Sequence, residues 1–434
     1  MRHQLKKLSN FTRAVHNQSP CFRPENEQQL ETISSEVTTQ KPLARGAGLS
    51  YSDCCLNQEK PIIDCRRLNH FISFNEATGL LIAQPGITFA DLFEVHPDFI
   101  PPVIPGTLKA TLGGGIANDV HGKNNSRAGT LGHHIAWVEL LLGNRVIHCS
   151  RTENQPLFLA TLGGLGLTGI IKRLAINLKK ASQSVQVSKQ RIMTWKQLLQ
   201  RMQEEHQDHD YQVAWLDLLN GTQQSVLSQA THCDAPHPMT TAKSYTFPQL
   251  PVRLINRFSM KQFNRIYFHS AQQTHPQNAS LGQFNNPLDK INHWNRFYGK
   301  QGLVQFQAVF ESRNAEETLK QLFSMINSSG ATPTLAVLKY FAQKGAGLLS
   351  FVEPGFTVAI DFIHNQNAVK AIQIMNEKIT AVGGKVYLGK DLFLTPKQFK
   401  TQYSNHSLFN DTLNQYQCYF QSDLSHRLNI GSHA

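Results

Sequence analysis

The sequence predicts an α+β protein of two domains, the second built on an antiparallel sheet. Three observations carry this. The chain has 434 residues, more than one ordinary core organises. Its first half reads as short strands separated by glycine-rich loops, whereas residues 302–390 read in the order β-α-β-β-α-β of a split, ferredoxin-like unit. A hydrophobic fraction of 40% without low-complexity tracts marks a chain folded throughout.

In chain order, a basic, helix-like start leads to "KPLARGAGLSYSD", a short strand running into a glycine turn at Gly46 and Gly48. "KPIIDCRRL" and "LLIAQPG" read as strands and "FADLFEVHP" as a helix. "WVELLLGNRVIHCS" is a hairpin, two apolar runs joined by Gly143-Asn144. In "GLTGIIKRLAINLKK", Leu174, Ile176 and Leu178 alternate as on a half-buried strand. This strand also removes a decoy. Gly164 to Gly169, "GLGLTG", satisfies G-x-G-x-x-G, but a dinucleotide site needs a helix after it and a βαβ unit around it.

Further on, "LVQFQAVF" is a strand, followed by the helix "NAEETLKQLFSMINSSG". Ala315, Leu319, Leu322, Phe323 and Ile326 share one face of that helix, and Asn314 with Glu317 resembles a capping box. "PTLAVLKYF" and "FTVAIDFI" are strands, "NAVKAIQIMNEKITAVGG" is an amphipathic helix closed by glycine, and "KVYLGKD" is a last strand. Period two puts Gln305 and Gln307 on one face, and Lys339 stands among apolar residues. The residues alone leave these three open between solvent and a ligand.

An excess of 42 Lys+Arg over 30 Asp+Glu, net +12, favours anionic partners: phosphorylated metabolites or an acidic membrane face. No zinc finger, basic helix or aromatic-interleaved basic patch stands out, which argues against nucleic acid. Seven scattered cysteines without C-x-x-C read as reduced thiols, neither a disulfide framework nor a metal site. No apolar run reaches the ~18 residues of a membrane span. The start lacks the apolar core of a secretory signal, so a cytoplasmic protein is expected.

Three glycine-rich loops fall within about 125 residues: "RGAGLSYSD", "PGTLKATLGGGIANDVHGKN" and "GGLGLTGI". Such loops let backbone N–H groups converge on an anion, and three of them imply a large phosphate-bearing cofactor. The same stretches, with "NPLDKINHWNRFYG" and "FQSDLSHRL", resemble in order the flavoproteins of the p-cresol methylhydroxylase and vanillyl-alcohol oxidase type. Within them they look like the branch that oxidises polyprenylphosphoryl ribose.

The resemblance implies an FAD-binding domain from residues 1–182, a substrate domain over 183–384 whose sheet covers the flavin, and a return of 385–434 to the first domain. It implies FAD contacts from Arg45, Gly46, Ala47, Gly48, Leu49, Ser50 and Tyr51, with Gly113, Gly114 and Gly115 closing on the pyrophosphate. Gly106, Thr107, Asn118, His121, Gly122, Gly166, Gly169, Ile170 and Tyr387 complete that set. Leu49 replaces the histidine through which many relatives tether FAD, so the cofactor is expected to be non-covalent. Lys123, Asn285, Gln305, Gln307, Lys339, Thr357 and Lys390 are implied as substrate residues, with Lys390 and His121 catalytic.

Some pocket positions depart from that branch. Its Tyr-His before Pro-Leu-Asp is Asn285-Asn286 here, its pocket cysteine is Ala359, and the asparagine two residues earlier is Thr357. The implied reaction is oxidation of a ribose 2′-hydroxyl to a ketone, the first half of an epimerisation to arabinose. A short-chain dehydrogenase/reductase partner would complete it, at a peripheral membrane contact. Oxidation of free alditols or aldonolactones remains the alternative reading, and a non-catalytic flavin-fold accessory protein a third.

Overall fold

The computed structural model describes residues 3–431 except 236–244, 249–252, 254 and 274. Strands Gln4–Ser9 (β1), His16–Phe22 (β2), Leu43–Arg45 (β3) and Ile62–Asp64 (β4) form one sheet in the order β1-β2-β4-β3. The start is thus a hairpin and not helix-like. Its inward positions, Asn17 and Ser19, are polar, so no apolar alternation betrays the strand; Ser19 Oγ donates to the Asn57 carbonyl (2.6 Å) and Asn17 to Asp423 (3.1 Å). The first helix is Glu27–Glu36 (α1), whose cap residue Asn26 accepts from the Gln29 N–H.

A second sheet joins Phe71–Asn75 (β5), Leu80–Ala83 (β6), Ile135–Leu142 (β7), Arg145–Ser150 (β8) and Ile170–Asn177 (β9) in the order β5-β6-β9-β7-β8. The expected hairpin closes at Leu142 opposite Arg145, with Gly143 at φ +64°. A strand, β9, follows Gly169, as the rejection of the dinucleotide fingerprint requires. The helix expected over "FADLFEVHP" is only a 3-10 turn, Asp91–Glu94, because Pro97 bars continuation. The triple glycine, read as a loop, forms instead the first turn of a short helix, Leu112–Ala117 (α2).

From residue 184 the chain repeats one plan twice. The first unit is Ser184–Ile192 (β10), Trp195–Glu204 (α3), Tyr211–Leu216 (β11), Ser225–His232 (β12), Arg257–Ser270 (α4) and Gln277–Ser280 (β13). The second, the one expected, is Leu303–Phe310 (β14), Ala315–Ser329 (α5), Pro333–Phe341 (β15), Gly355–Ile363 (β16), Gln366–Ala381 (α6) and Lys385–Val386 (β17). All eight strands share one antiparallel sheet, β13-β10-β12-β11-β15-β16-β14-β17. Each unit runs 4-1-3-2 inward from its own edge, and the two meet where Ala214 and Trp215 face Leu338 and Val337.

Asn314 makes no side-chain cap, contrary to expectation. A 3-10 turn, Ser312–Asn314, runs straight into α5, and Glu317 instead accepts from the Gln321 amide (2.6 Å). Three C-terminal helices, Pro396–Gln402 (α7), His406–Gln415 (α8) and Asp423–Leu428 (α9), bring the chain back to the first sheets. There Arg427 pairs Asp53 and Asp391 at 2.9 Å each, and Asp423 accepts the Gln58 N–H (2.7 Å). No helix among the described residues is long and apolar enough to cross a membrane.

Candidate active site

Behind β3 the chain turns through Gly46 to Ser50. Among the described residues none of these five backbone N–H groups donates to the protein. A half-buried row of five free donors is costly unless an anion or water takes them. Gly48 sits at φ +67°, and a Cβ there would meet the Arg45 guanidinium at 2.1 Å. Arg45 lies folded beneath the loop, donating to the carbonyls of Cys55 (2.9 Å) and Ser9 (3.0 Å). It braces the loop. Ala47 and Leu49 are half-buried along it.

The three glycines of α2 have three different surroundings. A Cβ on Gly113 would strike Pro85 (2.9 Å), and one on Gly115 would strike Phe89 (2.9 Å) and Leu131 (3.0 Å). At Gly114 it would meet only Thr111 Oγ1 (3.2 Å). Thr111 caps α2, and the same hydroxyl leaves no room for a Cβ on Gly46, which would lie 2.0 Å away. The first two loops therefore pack glycine against cap, with Gly114 their open point. In the third loop Gly166, at φ +77°, has only a distant Leu43 methyl group near it, whereas Gly169 and Ile170 pack into the sheet. Gly106 faces open space, Gly122 packs on Ile104, and Thr107 is tied to Asp289 (2.9 Å).

Opposite these loops, alternation divides the second repeat's sheet. Phe306, Ala308, Phe310, Ala336, Leu338, Val358, Ile360 and Phe362 pack with the helices. Gln305, Gln307, Lys339, Thr357, Ala359 and Asp361 take the other face. The Gln307 amide, on a residue only 4% exposed, donates to His121 Nε2 (3.1 Å) and to Thr357 Oγ1 (3.4 Å). With Nε2 accepting, the His121 proton resides on Nδ1, which is buried without a partner among the described residues. Phe341, Phe351 and Tyr387 wall the imidazole at 4.9–5.6 Å between centroids. Burial, with Lys339 and Lys390 nearby, holds its pKa well below the usual histidine range, so the ring is neutral. Tyr387 reaches across to the Asn118 carbonyl (3.1 Å), while Asn118 donates to that of Gly114 (2.9 Å).

Three lysines surround this group. Lys123 donates to the Phe284 carbonyl (2.6 Å) and lies over the Phe284 ring; burial, then Lys339, lowers its pKa to about 7. Burial brings Lys339 to about 8. Lys390 stands 3.3 Å from the Tyr51 ring centroid, and burial lowers its pKa against the pull of Asp361. Burial raises that of Asp361 in turn, although its carboxylate accepts the Gln305 amide. Buried ammonium groups with lowered pKa are what an anion would relieve. Asn285, next to Phe284, bonds the Leu281 carbonyl through its amide (3.1 Å), and its own side-chain oxygen has no partner among the described residues.

The structure thus brings His121, Gln307 and Thr357 into contact, with Lys339 near enough to act on both Lys123 and Lys390. It turns Arg45 and Thr107 to bracing. Sequence reasoning missed Asp361 and the Arg427–Asp53–Asp391 network; the alternation of Thr357 and Ala359 with Asp361 was the available signal for the first. A cavity of about 550 Å³ lies elsewhere, between Arg13, Lys300, His364 and Lys370, and none of the expected site residues lines it.

Residues 20–150 match the FAD binding domain family. The chain is 29% identical over 396 residues to decaprenylphosphoryl-β-D-ribose oxidase of Mycolicibacterium smegmatis, covering 86% of this chain and 85% of that one. It is 24% identical over 325 residues to an uncharacterized protein of Streptomyces coelicolor, covering 70% and 88%. A cytokinin dehydrogenase of Oryza sativa is 36% identical over 194 residues, 40% of this chain and 36% of that one. The free N–H row lies inside the matched domain, and such a row of donors suits an anionic group. The chain is an FAD-dependent oxidoreductase resembling decaprenylphosphoryl-ribose oxidase.

Proposed function

We propose that the protein oxidises the 2′-hydroxyl of a polyprenylphosphoryl ribose to a ketone, the first half of an epimerisation that a short-chain reductase partner completes. Residues 1–182 and 385–434 would hold FAD without a covalent bond, since Leu49 has no nucleophile to offer, and residues 183–384 would hold the sugar phosphate. FAD, when bound, supplies the acceptor for the hydride leaving the carbinol carbon.

The chain's own residues do the rest. Gly46 to Ser50 would donate backbone N–H groups to the pyrophosphate, with Gly114 leaving it room. Gln305, Gln307 and Thr357 would orient the sugar hydroxyls, and neutral His121 would offer its unpartnered Nδ1–H to one of them. Lys123 and Lys339 would hold the phosphate. Lys390, held by the Tyr51 ring and lowered in pKa by burial, would take the hydroxyl proton. Tyr387, Phe341 and Phe351 would exclude water from that corner.

The observation that carries this reading is the polar sheet face bearing Lys339, with Lys123 and Lys390 reaching it from loops, together with a glycine loop whose N–H groups are free among the described residues. Anaerobic titration of the flavoprotein tests it. Polyprenylphosphoryl ribose should bleach the flavin, whereas free alditols and aldonolactones at equal concentration should not. Bleaching by the free polyols alone would transfer the protein to the other substrate class.

A further inference from the structure

The internal repeat makes α4 and α6 equivalent, so each is a control for the other. Both bury one face on the shared sheet. In α4 that face is Phe268 (3% exposed), Tyr267 against Trp215 (4.9 Å between centroids), and Asn264 donating to Asp217 (2.8 Å). The outward face of α6 is polar and exposed at Gln366, Lys370, Gln373 and Glu377. The outward face of α4 is not. Phe258, Phe263 and Ile266 stand 72%, 53% and 68% exposed, spread over an arc of about 140°. The fold asks only that α4 cover its sheet; Phe268, Tyr267 and Asn264 meet that need. Among the described residues nothing covers these three large apolar side chains, which point to an external surface.

The charges say what. The helix "RFSMKQFNRIYFHS" contains no acidic residue, while Lys261 and Arg265 flank one side of the apolar arc. An apolar arc flanked by cations and free of carboxylates suits the boundary between acyl chains and anionic headgroups, where the apolar side chains enter and the cations remain at the surface. We infer that the outward face of α4 is a docking surface for an anionic lipid bilayer, lying flat on it through Phe258, Phe263 and Ile266. This rests on the lipid-phosphate reading of the substrate and supplies that reading with a way to reach it.

The test is co-sedimentation of the holoprotein with vesicles of phosphatidylcholine alone or mixed with phosphatidylglycerol. The wild type should pellet with the mixed vesicles and detach in high salt. Phe258→Ser/Phe263→Ser/Ile266→Ser should weaken that partition about tenfold or more. Lys261→Glu/Arg265→Glu, which leaves the apolar side chains in place, should weaken it on anionic vesicles only. Both variants should keep bound flavin and turn over detergent-dispersed substrate as the wild type does. A wild type that ignores anionic vesicles, variants that bind them equally well, or a dimer that the triple substitution dissociates would each overturn the proposal. Vesicle binding needs no turnover, so the two readings fail separately. Vesicle binding without flavin bleaching would sink the substrate, and bleaching without vesicle binding would sink the surface.

Discussion

Replacing Lys390 by Met removes a charge while keeping most of the side chain's length. Three consequences follow from its surroundings. The contact over the Tyr51 ring, 3.3 Å from the centroid, loses its cationic part, a cost of ~0.5–2 kcal/mol. His121 and Lys339 lose a repelling neighbour, which favours their protonated forms. Asp361 loses the cation that opposes its burial, so its carboxyl becomes harder to ionise. Folding should survive these changes, because the segment is also held by Gly389, whose carbonyl accepts the Tyr51 N–H (3.1 Å) and that of Ser52 (3.3 Å). The chemistry should not survive intact. Loss of a positioned proton-transfer group costs ~10²–10⁴-fold and acts mainly in the transition state. Anaerobic stopped-flow reduction by substrate, on a variant first shown to hold stoichiometric FAD, reads this directly. A rate within a few-fold of wild type would refute the assignment and move attention to His121 and Lys339.

Other consequences are narrower. Gly114→Val should yield folded apoprotein, because only Thr111 Oγ1 crowds that Cβ, whereas Gly115→Val, driven into Phe89 and Leu131, should lower the Tm; retained FAD in the first would reduce the loop to a turn. Lys123 and Lys339, lowered to about 7 and 8, lose charge as pH rises through those values, so the KM for a phosphorylated substrate should climb several-fold above pH 8; a flat profile would remove them from the phosphate. The same lowering means that the unfolded chain binds more protons than the folded one between these values and the ordinary 10.5. Apoprotein stability should therefore rise with pH across that window, as thermal melts would record. Ala359→Cys should create sensitivity to thiol-directed inactivators that the native protein resists; an adduct mapped inside the native pocket would contradict this.

Much of this was legible because apolar periodicity writes itself into sequence. The second repeat shows its strands and helices through the alternation of Phe306, Ala308 and Phe310 and the stripe of Leu319, Leu322 and Ile326. The first repeat hid. Its last helix wears Phe258, Phe263 and Ile266 on the outside, which blurs the face, and its short edge strand Gln277–Ser280 is polar. The opening hairpin hid for a related reason, since Asn17 and Ser19 are buried through hydrogen bonds. Within the site, glycine spacing pointed to the right loops. It could not show that Gly113 and Gly115 serve packing while Gly114 faces outward, because that division depends on Pro85, Phe89 and Leu131. Nor could spacing distinguish Arg45 as a brace, whose acceptors at Ser9 and Cys55 come from separate segments.

The central claim is that the loop from Gly46 to Ser50 holds FAD without a covalent bond. An absorbance spectrum of the native protein, followed by acid precipitation, tests it most directly. The account predicts flavin bands in the native protein and intact FAD in the acid supernatant above a colourless pellet. A colourless native protein would contradict the cofactor, and a yellow pellet would contradict its mode of attachment.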